Sequence, residues 1–155
     1  MPNMCENRLI VRGDAAEIER MLQFVKSDRT PFDFEKILPI PKRFRNRKRI
    51  TQKLVNQEIS WCVNRWGTKW GGLDAEIFRW EKEIWIDFET AWSPSVPVTG
   101  KLAYKFPTLE IMHIYCDPMM DFGGYIHGKG KVIYGVDAGD GKKYRLKGGK
   151  WGRKK

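Results

Sequence analysis

Seven residues, Trp66-Gly67-Thr68-Lys69-Trp70-Gly71-Gly72, constrain this chain more than any other stretch. Two tryptophans stand four residues apart, each followed by glycine. The stretch falls where the apolar periodicity changes from helical to strand-like. A glycine after a helix takes the left-handed conformation that ends it, which is the part Gly67 is placed to play. Gly71-Gly72 then turns the chain at little steric cost. A second motif, Thr90-Ala91-Trp92-Ser93-Pro94, closes the next hairpin. Both motifs read as corners that dock a helical insertion onto a sheet. Trp66, Trp70 and Trp92 are therefore expected to be core residues, mostly buried near that junction, because most aromatic side chains are packing residues. The functional alternative is a stacking platform for a base, or a docking patch.

Periodicity supplies the rest of the order. Residues 3–12 alternate as a strand, with Cys5, Leu9 and Val11 on one face and Glu6, Arg8 and Arg12 on the other. Asp14 opens a helix, with Glu17 three residues on as a capping-box-like pair, and Ile18, Met21, Leu22 and Val25 form its apolar stripe. Residues 30–41 carry three prolines among alternating apolar positions and read as an extended crossing segment. Thr51 caps a second helix in which Val55, Ile59, Cys62 and Trp66 recur on one side. Residues 75–80 and 83–90 form a hairpin about Glu81-Lys82. A third helix starts near Ser93–Pro97 and runs to about Lys105, burying Val98, Leu102, Ala103 and Phe106. Residues 108–116 form another strand, and residues 122–127 and 131–136 a last hairpin. Without insertion and hairpin the order is βαββαβ, the ferredoxin-like α+β arrangement, with both crossover helices on one sheet face. The expected organisation is a domain over residues 1–137, with the insertion at 31–72 and a basic, flexible tail at 138–155.

Charge is segregated. Residues 42–53 hold seven cations and no acid (Lys42, Arg43, Arg45, Arg47, Lys48, Arg49, Lys53). Residues 142–155 hold eight and no acid (Lys142, Lys143, Arg145, Lys147, Lys150, Arg153, Lys154, Lys155). The rest of the chain has 14 cations against 19 acids, so a body of net charge −5 carries two basic segments within an overall +10. Such segregation points to a polyanionic partner; the plain alternative is a solubilising loop and tail. The cations of residues 42–49 precede a helix N-terminus and oppose its dipole, so helix stability does not account for them.

The motifs are similar to those of a known family. The opening Met-Pro-Asn-Met-Cys-Glu-Asn-Arg-Leu-Ile-Val, the Trp66–Trp70 stretch, Thr90-Ala91-Trp92-Ser93-Pro94 and residues 117–124 resemble, in the same order, the YubB-like ferredoxin-like proteins of plasmids and bacteriophages. The likeness spans about residues 1–136, with departures at Met4, Gly71 and Ser95, and leaves the basic tail outside. It implies a ferredoxin-like domain on a mobile element and brings no catalytic residues.

Catalysis has little to stand on. Asp87 and Glu89 share a strand face, but paired acids there are usually solvated. His113, His127 and the scattered Cys5, Cys62 and Cys116 make neither a metal set nor a disulfide framework. The glycines at 123–124 and 128–130 lack the GxxxxGK[ST] of a phosphate loop. The expectation is no enzyme activity, no metal and no cofactor. No apolar run is long enough to span a bilayer and the first residues lack signal-peptide regions, which implies no membrane partner and a place in the bacterial host cytoplasm. The expected partner is nucleic acid, RNA included, contacted by Lys42, Arg43, Arg45, Arg47, Lys48, Arg49, Lys53, Lys142, Lys143, Arg145, Lys147, Lys150 and Arg153, with Trp151 stacking on bases. The alternative partner is a host protein or ribonucleoprotein, such as a defence nuclease, to which the chain docks and which it inhibits or modulates.

Overall fold

The computed structural model describes residues 2–45, 48–119, 122–130, 132–137, 143–147 and 150–153, with side chains up to residue 130. Strand β1 (Met4–Arg12) buries Cys5, Asn7, Leu9 and Val11 and leaves the alternate residues on the other face. Helix α1 (Ala15–Val25) follows, capped by the Asp14 carboxylate, which accepts from the Ala16 and Glu17 N–H groups. Glu17 does not reach back to complete a capping box; it pairs with Arg20 one turn on. The apolar stripe Ile18, Met21, Leu22 and Val25 is buried as the spacing predicts.

The hairpin of β2 (Leu73–Arg79) and β3 (Glu83–Ala91) comes after the insertion, then α5 (Val96–Lys105) and β4 (Glu110–Asp117). β1 lies between β3 and β4, antiparallel to both, and β2 flanks β3. This is the ferredoxin-like arrangement, with Val98, Leu102, Ala103 and Phe106 of the α5 segment fully buried. Strands β5 (Phe122–Lys129), β6 (Val132–Asp137), β7 (Lys143–Lys147) and β8 (Lys150–Arg153) continue the sheet beyond β4 as a meander, in the order β2-β3-β1-β4-β5-β6-β7-β8. Two described strands thus occupy the span where sequence alone leads one to expect a tail.

The insertion carries three helices: α2 (Phe34–Ile37), α3 (Lys42–Arg45) and α4 (Gln52–Trp66). The expected extended crossing at 30–41 is therefore interrupted. Asp33 caps α2 by accepting from the Glu35 N–H, and one helical turn sends Phe34 and Ile37 together into the core. Phe34 meets Phe32, Phe88 and Trp66 edge-on, with centroids 5.5–5.8 Å apart. Part of the basic run is helical too, because Phe44 is buried and pins α3. Thr51 caps α4, and Gly67, at φ 79°, ends it as expected. A β-carbon at Gly67 would stand 2.8 Å from the Pro97 ring and 3.0 Å from the Pro94 carbonyl, so only glycine lets α4 end against the start of α5.

The three tryptophans do not share one role. Trp66 is 4% exposed and its indole N–H donates to the Leu38 carbonyl at 2.9 Å. Trp70 is half-buried. Trp92 is 47% exposed, against the expectation that it packs inside. Ile84, Ile86, Phe88 and Thr90 hold the inward positions of β3 and Trp92 would be next, but its backbone turns to φ 69°, which carries the indole outward. Hydroxyls join the two corners instead: Thr68 donates to the Ala91 carbonyl at 2.8 Å and Ser93 to the Gly67 carbonyl at 2.5 Å.

Candidate nucleic-acid interface on the insertion

Helix α4 has two opposite faces. Val55, Ile59, Cys62 and Trp66 line an apolar groove of about 1130 Å³ against α2 and the start of β2. Lys53, Asn56, Gln57, Ser60, Trp61 and Asn64 recur every three to four residues on the other side. With Arg43 of α3 they enclose a concavity of about 670 Å³. Its chemistry is two cations, amides and a hydroxyl that both donate and accept, and one indole. Arg43 is held with its guanidinium 4.7 Å from the ring of the buried Phe44. The first turn of α4 contains no acid, so its positive end adds to the charge of Lys53.

The basic residues expected at this site are not equivalent. Arg43 and Lys53 enter the concavity. Lys42, Lys48 and Arg49 are exposed close by in sequence. Arg45 is engaged, with its guanidinium 2.9 Å from a Glu35 carboxylate oxygen. Arg47 lies outside the described residues, as do Lys142, Lys154 and Lys155. For Lys143, Arg145, Lys147, Lys150, Trp151 and Arg153 the backbone alone is described. The register carries Lys143, Arg145 and Lys147 through β6 to the rows of Tyr125, His127 and Lys129, and Lys150 pairs with Lys147. Trp151 falls on the other parity, the row of Leu146, Ile133 and Gly128. Seven inter-strand steps of about 4.8 Å, some 34 Å, separate β8 from the β2 edge that α4 flanks.

The sheet face away from the helices is different in character. A cleft of about 500 Å³ there is lined by Glu6, Arg8, Asp74, Asp87, Glu89 and Cys116, among others. Arg8 is spent on Asp87 in a two-pronged pair, both contacts 2.7 Å, with its guanidinium 4.3 Å from the Trp85 ring. Glu6 and Glu89 stand directly opposite across β1 and β3. Ile114 and Tyr125 are exposed beside them. Ferredoxin-like sheets can read RNA on this face, but here it is acidic.

Sequence reasoning missed a buried polar chain. His113 is fully buried, its Nε2 2.9 Å from Asn7 Oδ1 and its Nδ1 2.8 Å from the Thr99 hydroxyl. The Asn7 carbonyl can only accept, so Nε2 carries the proton and Nδ1 accepts from Thr99. Burial pushes the imidazole down to about 3, so it is neutral near pH 7. Asn7 donates to Thr90 Oγ1 at 2.9 Å, and Thr90 donates to the Ser93 carbonyl at 2.8 Å. The chain thus runs from α5 through β4, β1 and β3 to the Trp92 turn. One sign was available: Asn7 stands at the inward parity of β1, between Cys5 and Leu9.

The other chemistry-bearing side chains are similarly committed. Burial raises the Cys5 thiol to about 12 and the Cys62 thiol to about 11. His127 meets Glu110 at 2.8 Å. Among the described residues no group of three or more His, Cys, Asp or Glu is placed to hold a metal ion, and no helix is long and apolar enough to cross a membrane.

A sheet in this order, backed by two crossover helices, defines an α+β protein of the ferredoxin-like class. The chain belongs to the family described as "Ferredoxin-like domain in Api92-like protein", whose model matches residues 65–147. It is also similar to the crystal structure of the protein api92 from Yersinia pseudotuberculosis, with a TM-score of 0.58 and 12% identity over 83% of this chain and 95% of that one. At that identity the likeness speaks for the fold alone. No curated protein matches the chain.

Proposed function

We propose that the chain is a non-enzymatic nucleic-acid-binding protein of a mobile element, acting in the bacterial cytoplasm. The observation that carries the binding is the α3–α4 concavity, where Arg43 and Lys53 flank amides and an indole on a helix face whose Asn56, Gln57, Ser60 and Asn64 are exposed and whose Trp61 is half-buried against Trp66. Cations there neutralise phosphates, and amides contact sugars and base edges. The YubB-like affiliation and the phage or plasmid setting rest on the motif resemblance of residues 1–136. The test is binding to RNA, single-stranded DNA and duplex DNA at two salt concentrations. If about six cations meet phosphates, log affinity falls against log salt with a slope of roughly −4 to −5. No binding to any of the three near physiological salt overturns the reading.

A second reading, docking to a host protein, is favoured by the acidic open face with its exposed Ile114 and Tyr125. It calls for tight, weakly salt-sensitive association with a purified protein free of nucleic acid, such as a defence nuclease.

A further inference from the structure

Trp92 combines two features that oppose each other. Its φ of 69° is left-handed, a conformation that costs a bulky side chain energy, and the residue is 47% exposed, which forgoes about half of the gain from burying an indole. Such a residue persists only where its surroundings over-determine it. They do so here. The Trp92 N–H donates to the Asn3 carbonyl at 2.9 Å, and the Ser93 N–H to the Ala91 carbonyl at 2.9 Å. The hydroxyls of Thr68, Thr90 and Ser93 tie Ala91, Ser93 and Gly67 together, and the Asn7–His113–Thr99 chain fixes Thr90 from within.

The ring so presented is not alone. The Lys69 ammonium lies 4.7 Å from the Trp92 ring centroid and 4.9 Å from that of Trp70, between the two indoles. Holding Lys69 there would not by itself require a left-handed Trp92, since an ordinary surface conformation can also present a ring to an ammonium. The ammonium lies over one face of the Trp92 ring, and the exposed remainder of the ring matches one unit of a nucleic-acid strand: the base stacks on the ring surface away from Lys69 and the adjoining phosphate is drawn to the ammonium's charge. Bases inside a duplex have both faces covered by their neighbours, so the fit is to an unpaired strand.

We propose that Trp92, with Lys69 beside it, is a stacking site for an unpaired nucleobase. The proposal rests on the nucleic-acid reading above and narrows it to single strands. Stacking of one base is worth on the order of 10-fold in affinity.

The experiment compares an oligothymidylate of about 12 nucleotides with an abasic oligonucleotide of the same length, by fluorescence anisotropy with the full chain at fixed salt. The wild type is expected to bind the oligothymidylate on the order of 10-fold more tightly than the abasic strand. Trp92→Leu is expected to bind both at the abasic level. Trp92→Gly, which suits the left-handed backbone and so keeps the fold, should do the same, while Trp92→Phe retains part of the preference. Lys69→Gln should weaken both ligands alike. Equal affinity of the wild type for the two strands, or a base preference that survives Trp92→Gly, overturns the stacking site and leaves the nucleic-acid reading standing. Tighter binding to duplex than to single strand also overturns it. No binding to either strand, with Trp92→Gly abolishing capture of a purified protein partner, overturns both readings and makes the ring a protein anchor.

Discussion

The α4 concavity and the open-face cleft are both shallow, partly apolar depressions, yet they are built to opposite electrical signs. The first pairs Arg43 and Lys53 with amides and one indole. The second holds Glu6, Asp74, Asp87 and Glu89, and its one arginine is already consumed by Asp87. The difference teaches that the sheet does not set the chain's polarity as a binder. Strand residues Glu6, Asp74, Asp87 and Glu89 supply the acids of the cleft within a body of net charge −5, and the insertion brings a basic segment to it on separate helices. A polyanion therefore has one described surface to approach and another that repels it.

The comparison depends on the insertion staying docked, so the largest expected effect is on its anchor. Trp66→Ala, which removes a buried indole and its bond to Leu38, should cost about 3–5 kcal/mol in chemical denaturation. A loss under about 1 kcal/mol would mean that α4 is held elsewhere.

The polar chain beneath the sheet has a pH signature. The His113 pKa is about 3 when folded and 6.5 unfolded, so the unfolded chain binds more protons between those values. Stability is then fully present above about pH 6.5 and lost as pH falls toward 3. The loss approaches 1.4 kcal/mol per pH unit, or about 2 kcal/mol from pH 7 to 5. Urea midpoints of the wild type and His113→Gln across that range check it. A wild-type slope no steeper than the variant's would remove His113 as its source.

Reversing charge in one depression but not the other tests the contrast itself. Arg43→Glu with Lys53→Glu should lower nucleic-acid affinity by at least about 10-fold and flatten the salt slope by about 1.5, as two phosphate contacts vanish. Glu6→Gln should leave affinity unchanged or slightly raised. If both changes weaken binding equally, the two surfaces are not distinct. The smallest effect concerns the acids alone. Like charges directly opposite on neighbouring strands oppose each other, so Glu89→Gln should stabilise the fold by about 0.2–1 kcal/mol, read from thermal melts at low salt.

Much of the fold was legible because local rules and tertiary demand agree. The inward parity of β1, the stripe of α1, the Glu81-Lys82 hairpin and the Gly67 stop all follow from spacing and cap chemistry. The misses have separate physical causes. Three prolines spoke for an extended 30–41, but Asp33 needs only one turn to cap, and the three aromatic partners of Phe34 reward it. Trp92 was expected inside because tryptophan usually is; no periodicity reports that the residue after Ala91 changes its backbone sign. His113 is satisfied by Asn7 and Thr99, and its bond to Asn7 is a partnership across 106 residues that no local pattern carries. The basic character of residues 42–53 was legible, but not that Glu35 removes Arg45 from the set.

The one-sided extension of the sheet bears on how the chain assembles. Every strand after β4 pairs with the strand just before it in sequence, across short connections, so these hairpins close small loops. Joining β1 to β4 instead brings together residues as far apart as Glu6 and Cys116, 110 positions along the chain. Loop-closure entropy makes that pairing the slow event, and strands that each wait on an immediate predecessor add quickly once a template exists. The meander therefore zips outward from β4 after the nonlocal core has formed, and among the described strands β7 and β8 join after β6.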